Sequence, residues 1–290
     1  INCFFINLLT AIEYYEKVFL SNGEFNIKNS QCSVIIASPL ELSMKYLKLH
    51  PWNVSYKKAV EIQERLEKSI ILKCATRNFK YIAGADVSYL PGRATKSDTY
   101  QNGFIGQAYS RNSTGTMFYA SVVVFELKTM ERVEAVTAKG KVDFPYIPGL
   151  LSFRESPILL KALAKIKSNP DVVILDAQGI AHPRGIGLAS HMGLLLDKPS
   201  IGCAKTRLIG DYNEMGEEVG CYSHLTIKDK VVGAVLRTRK NIKPIFVSPG
   251  HKIDLDTSID LVLKSCRGYR LPEPVRQAHN LVKKTATGKE

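Results

Sequence analysis

Apolar positions along this chain follow two rhythms, and the points where the rhythm changes mark its elements. Between Val54 and Ile70, the residues Val54, Ala59, Val60, Ile62 and Leu66 recur among lysines and glutamates at helical spacing, which predicts an amphipathic helix. The runs Tyr81–Tyr89, Met117–Phe125 and Glu131–Thr137 are rich in β-branched and aromatic residues and read as strands, the last two antiparallel across a turn near Lys128. Leu150–Ser168 returns to helical spacing and stops before Pro170, and Asp171–Asp176 is then a short apolar strand of the buried type. A helix over Arg184–Leu196 follows, with strands at Ser200–Ala204, Val231–Leu236 and Ile245–Ser248 and a helix over Ile253–Cys266. Strands alternating with helices at this pitch predict a mixed α/β/α layered domain. No internal repeat interrupts the order.

Polar residues at the ends of these apolar runs bring in chemistry. Asp86 lies in the second half of the first strand, Asp176 ends the run Val172-Val173-Ile174-Leu175, and Glu155 lies early in the helix between them. One aspartate at a strand end is ordinarily a turn or helix cap. Three carboxylates converging in a core repel one another unless a cation neutralises them, and oxygen-only donors select a hard ion, Mg²⁺ or Mn²⁺. Just before Glu155, Pro145 and Pro148 bracket Tyr146 in a stiff turn, either a packed corner or a wedge rigid enough to separate stacked bases. After Asp176, Gln178-Gly179-Ile180-Ala181-His182-Pro183-Arg184-Gly185-Ile186-Gly187 leads into a helix; such a glycine-rich loop admits a flipped base or a phosphate, or is ordinary loop chemistry. Lys205 and His251 read singly as a surface charge and a satisfied loop histidine, and Asp254 or Asp256 as a helix cap or a carboxylate supporting the metal ligands.

Taken together, the segments Ile82–Val87, Pro145–Gly149 through Ser152–Glu155, Asp176–Arg184, Ala189–His191, Ile201–Lys205, Pro249–Lys252 and Gly268–Pro274 closely resemble endonuclease V. The resemblance runs from about Val54 to Ala278, is interrupted between Tyr89 and Met117, and does not reach the first fifty or so residues. It implies a ribonuclease H-like fold, a mixed five-stranded sheet flanked by helices, with metal carboxylates on the first strand, the first core helix and the fourth strand: Asp86, Glu155 and Asp176. It also implies cleavage of DNA, and in some members RNA, near deaminated purines, chiefly inosine. The expected cut is the second phosphodiester on the 3′ side of the lesion, leaving 3′-hydroxyl and 5′-phosphate ends. Tyr146 would fill the gap left by the extruded base, while Pro145, Ile147, Pro148, Gly149, Gly179, Ile180 and His182 would form its pocket, largely through main-chain contacts. Lys205 and His251 are expected near the scissile phosphate. Many relatives carry Asp-Gly-His-Gly or Asp-Gly-Asn-Gly where this chain has Asp176-Ala177-Gln178-Gly179, which bears on base selectivity. An inosine-specific endoribonuclease, a structure-specific nuclease of the same fold and a lesion-binding module without turnover are the competing readings.

Composition narrows the partner. At 290 residues and 45% hydrophobic the chain can bury a full core, and 40 Lys+Arg against 27 Asp+Glu give a net charge of +13, which favours a polyanion. With no long apolar span and no basic amphipathic helix, nucleic acid is preferred over a membrane. The apolar opening Ile1–Leu9 is too short to cross a bilayer and lacks a basic flank, so a cytoplasmic monomer is expected. The cysteines Cys3, Cys32, Cys74, Cys203, Cys221 and Cys266 are scattered, without a C-x-x-C pair, and read as free thiols; zinc is not indicated. The expected organisation is an N-terminal extension over 1–50, a catalytic domain over 51–280 and a basic tail over 281–290. Within the domain, an inserted loop over 90–116 offers Arg93, Lys96 and Arg111 to nucleic acid.

Overall fold

The structure, a computed structural model, describes residues 44–89 and 116–288. The expected loop contacts at Arg93, Lys96 and Arg111, and most of the expected extension, lie outside the described residues. Helix α1 (Tyr56–Glu67) precedes strands β1 (Tyr81–Tyr89), β2 (Thr116–Glu126) and β3 (Arg132–Val142). Then come α2 (Leu151–Leu163), β4 (Val172–Leu175), α3 (Leu188–Leu196), β5 (Ser200–Ala204), β6 (Tyr222–Ile227), β7 (Lys230–Leu236), β8 (Ile245–His251), α4 (Leu255–Lys264) and α5 (Glu273–Thr287). The sheet has eight strands in the order β3-β2-β1-β4-β5-β8-β7-β6. Strands β1, β4 and β5 are parallel and their neighbours antiparallel. The expected five-stranded order is therefore present as β3-β2-β1-β4-β5, and the expected strand count is corrected by three strands, β8, β7 and β6, that continue it past β5.

Alternation along the strands sorts the core into two layers. In β4, Val173 and Leu175 pack with α2 and α3 residues such as Leu159 and Met192, whereas Val172 and Ile174 face α4 and α5 residues such as Val262 and Val275. A strand buried on both faces has no polar position to spare, which is why its first polar residue, Asp176, falls just past its end. On β1 the same alternation puts Ile82, Gly84 and Asp86 on the α5 face. Gly84 is required there, because a Cβ would drive into the backbone of Pro274 and Val275.

Two of the expected boundaries are corrected. The segment expected as a basic tail continues α5 to Thr287, because Val275, Ala278, Val282 and Ala286 form an apolar stripe that buries against the sheet. The end of the expected extension is part of the packed domain: Met44 is buried, and Leu47 donates its N–H to the Leu195 carbonyl at 2.6 Å.

Candidate active site

Parallel pairing brings the two aspartates level. Ala85 is in register with Leu175, so Asp86 and Asp176, each the next residue, meet where β4 and its pairing with β1 end. Close packing of α5 on Gly84 then carries His279 to the same place, where its Nδ1 lies 2.7 Å from Asp86 Oδ2. One donor atom from each of Asp86, Asp176 and His279 lies within 4.8 Å of the others. From the opposite layer α2 presents Glu155, whose carboxyl is pushed up to about 8 by desolvation and then by the negative charges of Asp86 and Asp176. Burial, followed by Asp86, also raises Asp176, against the opposing pull of Lys205, whose ammonium forms an ion pair with it.

This donor set fits a divalent metal ion. Two aspartates and an imidazole converge beside a glutamate whose ionised form its surroundings disfavour; a cation would favour that form. His279 is the residue that sequence reasoning passed over. Its signal was the stripe Val275, Ala278, Val282 and Ala286, which starts after Pro272 and keeps His279 beside a core-facing position. His251, in contrast, is not brought to the carboxylates. It pairs with Ser200 at the start of β5, level with Val173 and two strands from β4, and its Cβ lies on the α3 face against Gly193. There its Nδ1 accepts the Ile71 N–H at 3.3 Å. Asp254 caps α4, accepting the Thr257 N–H at 2.8 Å.

The second group of expected residues forms a separate unit. Tyr146 is 57% exposed. The base of that turn is tied down: Leu150 N–H donates to Ile147 O at 2.9 Å, and Gly149 adopts φ +79°, a conformation natural only to glycine. The Gly149 carbonyl accepts from Arg184 Nη2 at 2.6 Å and from Gln63 Nε2 at 3.1 Å, and Arg184 Nε donates to Gln63 Oε1 at 2.6 Å. These bonds join the turn to the glycine-rich loop. In that loop Gly179 and Ile180 are buried, with Gly179 N–H donating to Ser248 Oγ and Ile180 N–H to the Pro249 carbonyl. His182 is buried beside Gly149, and desolvation, then the Arg184 charge, lower it to about 4, so it stays a neutral imidazole. Pro145 and Pro148 are exposed on either side of Tyr146, with Ile147 half-buried. Ala177 is buried and Gln178 Nε2 donates to Thr206 O at 3.0 Å, tying the loop to the segment that carries Lys205.

Comparison with known proteins agrees with this geometry. The family model for Endonuclease V matches residues 64–280. Endonuclease V of Dictyoglomus turgidum is 45% identical over 77% of this chain and 88% of its own length. The crystal structure of the Bacillus subtilis endonuclease V superposes with a TM-score of 0.73 at 30% identity, covering 84% of this chain and 98% of that one. Endonuclease V of Ciona intestinalis, crystallised with a 24mer DNA containing an inosine followed by a ribo-adenosine, gives a TM-score of 0.62 at 28% identity over 81% of this chain and 98% of that one. With a ribonuclease H-like sheet, an acidic centre where the β1–β4 pairing ends, and relatives matched over most of their length, this chain belongs to the endonuclease V family and is an endonuclease.

Proposed function

We propose that this endonuclease nicks DNA beside deaminated purines, cutting the second phosphodiester on the 3′ side of deoxyinosine to leave 3′-hydroxyl and 5′-phosphate ends. The observation that carries the reading is the pairing of a carboxylate–histidine cluster with a rigid turn that exposes Tyr146 and is bonded through Arg184 and Gln63 to a glycine-rich loop. Asp86, Asp176 and Glu155, with His279 beside them, would hold Mg²⁺, for which Mn²⁺ substitutes. When bound, the ion supplies neutralisation of phosphate charge and an acidified water. His279 Nδ1 lies within hydrogen-bond distance of Asp86 Oδ2, a contact that would orient its ring at the cluster. Lys205, which is ion-paired with Asp176 beside this cluster, would hold a phosphate oxygen. Tyr146 stacks in the space of the extruded base, and the loop from Gly179 to Gly187, with neutral His182, receives that base.

The net charge of +13 supports a nucleic-acid partner, and the Ciona relative bound to inosine-containing DNA supports the choice of lesion. The ribo-adenosine in that relative's DNA favours one second reading, action on inosine in RNA. The test is a side-by-side cleavage assay on inosine-containing duplex DNA, single-stranded DNA and single-stranded RNA, with Mg²⁺ and with EDTA. Metal-dependent nicking between the first and second nucleotides on the 3′ side of inosine is expected, and equal cutting of undamaged strands would overturn the reading.

A further inference from the structure

Behind the Tyr146 turn lies a titratable pair that the proposed chemistry does not use. His50 Nδ1 is 2.9 Å from the Pro51 carbonyl, which can only accept, so Nδ1 carries the proton and Nε2 a lone pair. That lone pair lies 2.7 Å from His191 Nε2, so His191 is the donor and its Nδ1 is left bare. His191 Nδ1 is buried with no partner. The arrangement holds only while both rings are neutral, since a proton added to either would face the other ring's N–H or enter an apolar enclosure.

The enclosure is aromatic and leads to the site. Trp52 lies edge-on to His50 at 4.5 Å and 5.9 Å from Phe153, and Phe153 stacks on Phe144 at 5.5 Å. Phe144 directly precedes Pro145-Tyr146, and its carbonyl accepts from Arg154 at 3.1 Å; Phe153 and Arg154 directly precede Glu155 on α2. Trp52, Phe144, Pro145 and Phe153 line one cleft.

We propose that residues 44–54 are a positioning strap for the Tyr146 turn and for α2, closed by the neutral His50–His191 pair and opened when that pair takes up protons. Its bearing on base recognition rests on the wedge reading of Tyr146. The strap is otherwise held by the Leu47 N–H on Leu195 O and by Arg65 Nη2 on Leu49 O at 3.2 Å. Positive neighbours act in the opening direction, and Glu61, which lines the same cleft as His50, is ion-paired with Lys58 at 3.1 Å. Lys45 and Lys48 lie on the strap, Lys58, Glu61 and Arg65 on the facing side of α1, and Arg65 disfavours charge on His50. On α2, Arg154 stacks over Phe118 and Glu155 faces the aspartates; on β8, His251 approaches α3 at Gly193, beside Asp197. Burial lowers both histidines, His191 to about 3. Because folded values lie below the free value, strap closure is fully present above about pH 6.5 and is lost as pH falls below it.

Trp52 is the chain's one tryptophan, so its emission reads the strap directly. In metal-free protein with EDTA, the emission maximum is expected to move to the red between pH 8 and pH 5, the opening constant growing by up to about a hundredfold per pH unit for two linked protons. His50→Gln keeps an acceptor for His191 Nε2–H and removes one proton, so its steepest rise falls to about tenfold per unit. A flat emission maximum in the wild-type protein, or the same shift in His50→Gln, would overturn the strap. In the same samples, the binding preference for inosine-containing over undamaged duplex should narrow with the shift and persist to lower pH in His50→Gln. Equal narrowing in both proteins removes the positioning role. A protein with no inosine preference at any pH removes the wedge reading, and the emission still decides the strap.

Discussion

The acidic centre and the Tyr146 turn sit side by side in the chain but are built in opposite ways. At the centre, burial first and crowded like charges second hold Glu155 and Asp176 above their ordinary range. At the turn, nothing is crowded: Tyr146 is 57% exposed, and its stiffness comes from flanking prolines and the Arg184–Gln63–Gly149 bonds. The centre stores electrostatic cost that a cation relieves, whereas the turn stores conformational order that a ligand need not supply. Chemistry and recognition are thus separable here, and each can be broken without the other.

The sharpest break is at the centre. Asp86→Asn or Asp176→Asn should reduce single-turnover cleavage by at least about a thousandfold, consistent with losing several kcal/mol of transition-state stabilisation. Binding of inosine-containing DNA should be kept or tightened, because a charge that repels phosphate is gone, and the thermal melt should not fall. Cleavage within a few-fold of wild type would end the metal-centre reading.

Breaking the turn should do the reverse. Tyr146→Ala is expected to cost roughly 1–3 kcal/mol of affinity for inosine-containing duplex, about ten- to a hundredfold, with Tyr146→Phe retaining most of it. Its melting temperature should match wild type, since the ring is mainly solvent-exposed. An alanine variant that melts several degrees lower would show the ring to be structural.

A subtler contrast lies in pH. Glu155 is raised to about 8 in the folded protein, so without metal the stability it contributes is fully present below its unfolded value near 4.5 and lost as pH rises through 8. A cation must displace that proton, so metal affinity should climb by about tenfold per pH unit up to pH 8 and then level off. Calorimetry in buffers of different ionisation enthalpy reads the released proton directly. Glu155→Gln should abolish the release, and an unchanged proton count would show that the carboxyl is already ionised.

The smallest effect is expected at Lys205, which bridges the two regions through Asp176. Lys205→Ala should flatten the log–log salt dependence of duplex binding by about one unit, for inosine-containing and undamaged DNA alike. Selective loss of inosine binding would move Lys205 from the phosphate to the base.

The sequence and the tertiary structure divide this protein along a physical line. Period-two alternation gave Ile82-x-Gly84-x-Asp86 and Val172-x-Ile174-x-Asp176 one face each, so the strands and their terminal carboxylates were legible from local pattern. The bracketed Tyr146 was equally local, because proline acts through its own ring. Histidine placement was not local. His251 follows Pro249-Gly250 and resembles a site residue, yet strand register takes it to the other face and the start of β5. His279 sits on a helix whose apolar stripe is diluted by Arg276, Gln277, Lys283 and Lys284, and it reaches Asp86 only because Gly84 lets α5 lie against β1. The neutral histidine pair joins residues 141 positions apart. Local periodicity assigns a residue to a face, but which faces meet depends on register and close approach, and these are properties of the folded whole.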